Sequence, residues 1–572
     1  MSAAAALTDQ EIINRCRSGA LIDDIDRFDN DDANPASLMK RCVALHNSGQ
    51  LDLLALTGTT QFAALGGHIF FAVQHFFDKA IPSLETTALP LMQAVKALVI
   101  KGGGDLAANW PYEAFWKWCS VDLARAQTIV TDAERGDPLS IEFVTFALRA
   151  LSDVALARTF VSTYTDARRF SGLFVLGKIQ HADATEAEDT LNIIQPFVDV
   201  SQEDICRCNA VLSGFEICKQ FPALAPRFVP QLLTAAVVTP SQTMLYNIAQ
   251  ELWLKASLFD RRSTALALDA LKTTDPTMSG ILDGLDLALK TMLDGAHADL
   301  ALDFFTDVMA ANDGGFSLDQ FKSLVHELAT GDRDRLFRLV VRWLLSGNPK
   351  LGRSVSDLFL QRERCVPFDA TIAGMGLTSA QQVFLSYKAL AWLFTNEVVA
   401  ASIIVAALRS CDKATAAIIG GLLFDPLLTN YGGRAADYLR TIKRGDIAYG
   451  PVRKALKAGD AFIKALDTKG PIKELHPSEY QRSVERLHVQ EMMRKAHKEA
   501  EKHSVLINLV HRSTLLYGRK SITFVQDPGN KRRAITMDLH SYETSFELPR
   551  FEIVDPVGLS VMLLQFRSAR LK

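Results

Sequence analysis

The sequence predicts a mostly α-helical protein, an elongated stack of antiparallel helix pairs closed at its C-terminal end by a small β-rich cap. Three observations lead there. Apolar residues recur at offsets of three and four from about residue 8 to residue 511. Prolines punctuate that run at intervals that hold one or two helices of ordinary length, because proline is expelled from helix interiors. After Gly518 the apolar period falls to two, the period of a strand. At 572 residues the chain also exceeds the roughly 250 to 300 residues at which single cores stop growing, so several domains or one extended array are expected.

Individual elements follow the same logic. Ser317 and Gln320 have the spacing of a capping box, and Leu318, Phe321, Leu324, Val325 and Leu328 then share a face up to Gly331. Leu336, Leu339, Val340, Trp343 and Leu344 mark the next helix, and Phe384, Tyr387, Leu390, Ala391 and Phe394 mark a later one. From His476 to His511 the pattern is one long charged helix. Ser521–Val525 and Ala534–Leu539 read as strands around the turn signal Asp527-Pro528-Gly529-Asn530, and Phe546–Val554 reads as a third.

The punctuated helix pairs resemble the degenerate repeats of HEAT and armadillo α-solenoids, over roughly residues 140 to 430. The resemblance implies an extended array with a broad recognition surface. Four regions are expected: an N-terminal helical region (1–135), a HEAT-like array (136–430), a basic helical segment (431–515) and the β-rich cap (516–572), which would shield the final apolar face.

Composition narrows the function classes. No basic region and long apolar core stand at the start for a secretory signal. The longest uncharged stretch, Leu53 to Phe77, is interrupted by Gly58, Gly66, Gly67, His68 and other polar groups, so a buried helix is expected there and no membrane contact. Eight cysteines without a Cys-x-x-Cys fit reduced thiols in a cytoplasmic protein and neither a disulfide framework nor a zinc site. Net charge is −3, yet residues 431–572 carry 26 Lys plus Arg against 16 Asp plus Glu, leaving 36 against 49 for residues 1–430. An acidic body with a basic end is the signature of an interaction surface.

Several local patterns bear on chemistry. Gly172 to Gly177 followed by Lys178 has the spacing of a phosphate-binding loop, but Ile179 stands where a magnesium-binding hydroxyl belongs, so a buried helix is the reading. Asp23, Asp24, Asp26, Asp29, Asp31 and Asp32 lack the glycine and terminal glutamate of an EF-hand and read as a solvated loop. Trp110, Tyr112, Phe115, Trp116 and Trp118 read as a core stripe. Six of the twelve histidines lie between residues 476 and 540. There His488 and Glu491, and Arg494 and His497, are three apart on the predicted helix. The run Arg482 to His488 is similar to the Arg-x4-6-His motif of HEPN-type ribonucleases, which implies RNA cleavage as one use of these imidazoles.

The sequence therefore points to a non-enzymatic helical scaffold or adaptor that holds protein partners, with no cofactor, no catalytic residues and no metal site. The alternative is a nucleic-acid-binding, even RNA-cleaving, subunit that uses residues 476–533. The partner- or nucleic-acid-binding residues expected are Arg482, Arg486, His488, Glu491, Arg494, His497, Lys498, Lys502, Arg532 and Arg533. Head-to-tail self-association is the other consequence of the charge asymmetry.

Overall fold

The computed structural model describes residues 7–25, 37–103, 110–311, 315–359, 366–468, 478–502, 515–517, 520–526, 532–538 and 547–571. Internal contacts divide the chain into two compact units, Ala5–Gly331 and Asp332–Lys572. The boundary falls within the stretch read from sequence as a single array.

In the first unit the helices of seven residues or more are α1 (Asp9–Arg17), α2 (Leu38–Asn47), α3 (Gly67–Ala80), α4 (Ala88–Lys101), α5 (Trp110–Val121), α6 (Leu123–Glu134), α7 (Pro138–Leu151), α8 (Val154–Thr163) and α9 (Ala167–Leu176). They continue with α10 (Ala184–Ile194), α11 (Asp204–Gln220), α12 (Ala225–Ala236), α13 (Gln242–Leu254), α14 (Arg261–Leu271), α15 (Ser279–Leu293), α16 (Ala298–Ala310) and α17 (Lys322–Thr330). Their packing has a fixed rule. Each odd helix from α3 onward rests on the next odd helix, through to α17, while α12, α14 and α16 stack as a second layer. Neighbours in sequence, such as α6 with α7 and α8 with α9, close the hairpins between layers.

Local chemistry sets the helix starts. Asp122, Asp137, Asp153, Asp166, Asp183 and Asp260 each accept a hydrogen bond from an amide of the first turn of the helix that follows. Polar cross-links then tie one hairpin to the next. Arg158 donates to Thr190 Oγ1 at 2.6 Å, Asn209 to the Phe170 carbonyl at 3.1 Å and Gln220 to the Ile179 carbonyl at 3.0 Å. Arg207, only 5% exposed, donates to the carbonyls of Val198, Ala236 and Val238 and so closes the C-terminal end of α12. Buried Asp286 of α15 accepts from the amides of Ser323 and Leu324 at 2.8 Å and caps α17 from the neighbouring helix.

Two sequence expectations need adjustment here. The capping box at Ser317 is present, but it opens a single 3-10 turn, Leu318–Gln320, and the α-helix begins at Lys322. Pro230 does not punctuate; it sits inside α12, where it leaves the helix amphipathic face intact. The uncharged stretch from Leu53 is broken into Leu54–Gly58, Thr60–Ala64 and α3. Among the described residues no helix is long and apolar enough to cross a membrane.

The second unit holds α18 (Arg333–Leu345), α19 (Pro349–Leu358), α20 (Ser379–Leu393), α21 (Glu397–Leu408), α22 (Lys413–Leu422), α23 (Arg434–Arg440), α24 (Tyr449–Asp467) and α25 (Glu479–Lys502). Next-but-one packing recurs, α18 on α20, α20 on α22 and α22 on α24, with α21 on α23. Helix α21 is buried on every side from Val399 to Leu408, which explains why that run, VAASIIVAAL, is apolar without a polar face.

The β-rich cap expected over residues 516–572 is overturned. Strands β1 (Leu515–Tyr517), β2 (Lys520–Gln526) and β3 (Arg532–Asp538) form an antiparallel meander in that order, with Ile522 opposite Thr536. The turn residues Asp527–Asn530 lie outside the described residues. The element that covers the stack is helical: the region read as a third strand contains the short helix Arg550–Val554, followed by α26 (Pro556–Ser568), which packs on α20. The physical reason is local. Pro549 has no amide to give a strand ladder and stands at the N-cap of the short helix, and Pro556 at the first turn with Asp555 accepting from the Gly558 amide at 2.8 Å starts α26.

Asp412 gives the second unit a defined pH response. Its carboxylate heads α22, accepting from the Thr415 amide at 2.8 Å and the Thr415 hydroxyl at 3.0 Å, and accepts from the Ser379 hydroxyl of α20 at 2.7 Å. These bonds, the Thr415 amide first, hold its pKa at about 2, below the ordinary 3.8. A depressed carboxylate stabilises the fold fully above its unfolded value, and that contribution disappears as pH falls from about 4 towards 2. The unfolding free energy of Asp412→Asn, measured by denaturant titration, is expected to change less over that window than that of the native chain. Identical acid losses in both would contradict this role.

Candidate functional site

Helix α25 carries most of the residues that the sequence singles out. Its N-terminus is capped by Ser478, whose hydroxyl accepts from the Gln481 amide at 3.2 Å while Gln481 Oε1 accepts from the Ser478 amide at 2.9 Å. From Glu479 to Glu499 every residue with a described side chain is exposed. Tyr480, Val484 and Leu487 fall at offsets of four and three and form an apolar strip in water, 78%, 47% and 64% exposed. A globular protein normally buries such a strip, whereas among the described residues nothing covers it.

The expected phosphate ligands do not converge. At about 100° per residue, Glu491, Arg494 and Lys498 continue the face that Tyr480 begins, whereas Arg482 and Arg486 lie roughly on the opposite side. Glu491 pairs with Lys495 at 3.3 Å, and Glu485 and Glu499 interrupt the positive field further. His488 shares the general direction of Glu491, while Arg482, the arginine of the HEPN-like spacing, points elsewhere on the helix circumference. His497 and Lys502 occupy helical positions whose side chains lie outside the described residues. Arg532 and Arg533 stand opposite Gln526 and Val525 on β3, and their side chains are likewise outside the description.

Other sequence motifs resolve into structure. Residues 172–176 of the phosphate-loop-like stretch are the last turns of α9. A Cβ on Gly172 would lie 3.0 Å from the Ala157 carbonyl oxygen of α8, and one on Gly177 would lie 2.6 Å from Ser213 Cα of α11. Both glycines therefore permit close helix contact and cradle no anion. Lys178 pairs with Glu216 at 3.3 Å, which in turn meets buried Lys255 at the end of α13. Asp24 leaves the acidic cluster altogether, being buried and paired with Arg15; Asp26, Asp29, Asp31 and Asp32 lie outside the described residues. Among the described residues no group of three His, Cys, Asp or Glu is placed to hold a metal ion. The aromatic patch is core only in part: Phe115 and Trp118 are fully buried, with Trp118 Nε1 donating to the Leu84 carbonyl at 2.8 Å, Tyr112 and Trp116 are half-buried, the latter under Arg149, and Trp110 is exposed.

Sequence reasoning missed the anchorage of the C-terminal segment. Glu547 accepts from the Gly433 and Arg434 amides at 2.9 and 3.0 Å, capping α23, and Asn430 Oδ1 accepts from the Phe551 amide at 2.9 Å. Further on, Phe566 stacks on Tyr387 with ring centroids 5.3 Å apart, and Arg567 lies over Trp392 while its Nε donates to the Ala391 carbonyl. Lys388, 2% exposed, donates to the carbonyls of Phe566 and Arg567 at 3.2 and 2.5 Å. An ammonium at the last turn of α26 satisfies carbonyls that have no partner within the helix and complements the helix dipole. Burial pulls the Lys388 pKa down, as expected for a cation removed from water. The available signal was one lysine alone in the otherwise uncharged run from Ala380 to Asn396.

Charge reverses at the boundary between the units. Residues 5–331 carry 25 Lys plus Arg against 41 Asp plus Glu, a net −16, and residues 332–572 carry 37 against 24, a net +13. The fold and this charge distribution define the class: a protein of stacked helices, acidic in one unit and basic in the other, with one long helix exposed among the described residues. Comparison with protein-family models, curated proteins and solved structures finds no match to this chain.

Removing the Lys388 ammonium tests the anchorage. Hydrogen bonds to a charged group contribute about 1.5–3 kcal/mol, equivalent to roughly tenfold or more in an opening equilibrium. In Lys388→Met, tryptic cleavage after Arg550 and Arg567 is expected to accelerate by about that factor while the helices of the first unit stay resistant. Unchanged cleavage would show that the stacking contacts alone hold α26.

Proposed function

We propose that this chain is a non-enzymatic helical scaffold of the HEAT- or armadillo-like, α-solenoid kind that holds a protein partner, with α25 as its principal contact. The observation that carries this reading is the exposure of Tyr480, Val484 and Leu487 along one face of a capped 24-residue helix. A protein groove that covers these three positions gains apolar burial at roughly 25 cal/mol per Å². It also meets Arg494 and Lys498 further along the same face, so the fitting partner presents an apolar cleft with an acidic end. Next-but-one helix packing supports the scaffold part of the reading, since stacked hairpins hold a surface open without needing a catalytic pocket.

A photoreactive residue placed at Leu487 in the native cell tests it. A discrete protein adduct that disappears when Tyr480 and Val484 are both changed to Asp is the expected result. Adducts to RNA in place of protein would assign α25 to nucleic-acid contact, and no adduct at all would leave the helix without the partner required.

A further inference from the structure

Helices α22 and α24 contain two glycines that the fold does not require. Gly420 has a reason: a Cβ there would lie 3.2 Å from Pro451 Cβ, so the two helices touch at that point. A Cβ on Gly421, or on Gly450 in the first turn of α24, would meet nothing within 4 Å, and neither glycine has a positive φ. Glycine weakens a helix relative to alanine, so glycines that serve neither a helix contact nor a turn point to room kept beside the backbone.

That room is a cleft of about 400 Å³ between α22 and α24, within the roughly 300–1,000 Å³ of small-molecule sites. Ala417 and Gly421 line one side, Gly450 and Ala455 the other, and Phe424 joins them. Lys413 and Lys454 are its charged lining residues, both exposed. Among the described residues no carboxylate lines the cleft and neither lysine has an ion-pair partner.

The preceding groove of the same layer, between α20 and α22, is already filled. Counted from the first residue of each helix, Ser379 and Lys413, the positions four and eight further on are Val383 and Tyr387 in α20 but Ala417 and Gly421 in α22. Beside Val383 and Tyr387 lies the chain's own apolar end, Ala569 and Leu571. Between α22 and α24 that bulk is gone, and among the described residues no other segment of the chain enters.

The lining decides the chemistry of the occupant. Methyl groups and helical backbone offer no free donor or acceptor, so an extended peptide laid along them would leave its own amides unanswered. A helix roughly 10 Å across would fill the volume with a single turn. An alkyl chain has no polar group to satisfy, and two ammonium groups without a counter-charge select an anion. We propose that the cleft binds a free aliphatic carboxylate, its alkyl chain over Gly421 and Gly450 and its carboxylate at the lysine rim. This site is separate from α25 and stands whether or not that helix binds a protein.

Calorimetric titration of the full chain with laurate, held below its micellar concentration, is expected to show one site per chain. Decanoate, two methylenes shorter, is expected to bind about tenfold more weakly, and uncharged dodecanol at least tenfold more weakly. Gly421→Leu fills the cleft with a better helix former, so binding is expected to disappear while the unfolding temperature stays equal or rises. Lys413→Glu with Lys454→Glu, at two exposed positions, is expected to weaken laurate at least tenfold. No saturable binding of laurate by the native chain, with or without uptake onto anionic vesicles, would overturn the proposal. So would dodecanol binding as tightly as laurate, or undiminished binding by folded Gly421→Leu.

Discussion

Each helix of the stack must lie close to the helix after the next, and the rest of the structure depends on that approach. Where it is tightest there is no room for a side chain: a Cβ on Gly177, where α9 ends, would lie 2.6 Å from Ser213 Cα of α11. Such positions are why overpacking here would move backbone and not merely rotamers. The approach also creates polar groups that a single helix cannot satisfy, and they are answered across the repeat, as when Ser213 donates to the Leu173 carbonyl of α9 at 2.6 Å. Cohesion is therefore local, hairpin to neighbouring hairpin, with no single central core.

The same arrangement accounts for the acidity of the first unit. Many of its aspartates stand at helix starts, where a carboxylate accepts from unpaired amides and meets the positive end of the helix dipole. Others make ion pairs between successive hairpins, Arg261 with Asp299 and Lys272 with Asp307. Exposed pairs of this type contribute little stability each, so their use is mainly to fix how one hairpin sits on the next. In the second unit basic residues outnumber acidic ones, and Arg486, Arg494 and Lys498 of α25 are exposed.

How legible this was depended on the range of the interaction concerned. Apolar stripes such as Leu336, Leu339, Val340 and Trp343 are written within one helix and identify it directly, and the helices expected around residues 317–345 and 384–394 are present. The glycines at 172 and 177 mislead as a nucleotide loop because their purpose lies in residues about 15 and 36 positions away, Ala157 and Ser213. The cap failed for a related reason: after Pro549 the segment is helical where it meets the second unit, the Phe551 amide donating to Asn430 and α26 docking on α20, some 170 residues earlier. The binding residues expected on α25 spread around its whole circumference. The apolar strip at Tyr480, Val484 and Leu487 became informative only when burial was known, since the same residues in a packed helix would have been core.

A packed stack and one long helix exposed among the described residues have a direct dynamic signature. Amide hydrogen exchange of the isolated full chain is expected to be slowest in α7, α9, α11 and α13, which are packed between neighbours on both sides, and fast throughout α25, where only its own capped turns protect it. Protection of α25 equal to that of the stack in the isolated chain would mean that its apolar strip is already covered, and would contradict the account.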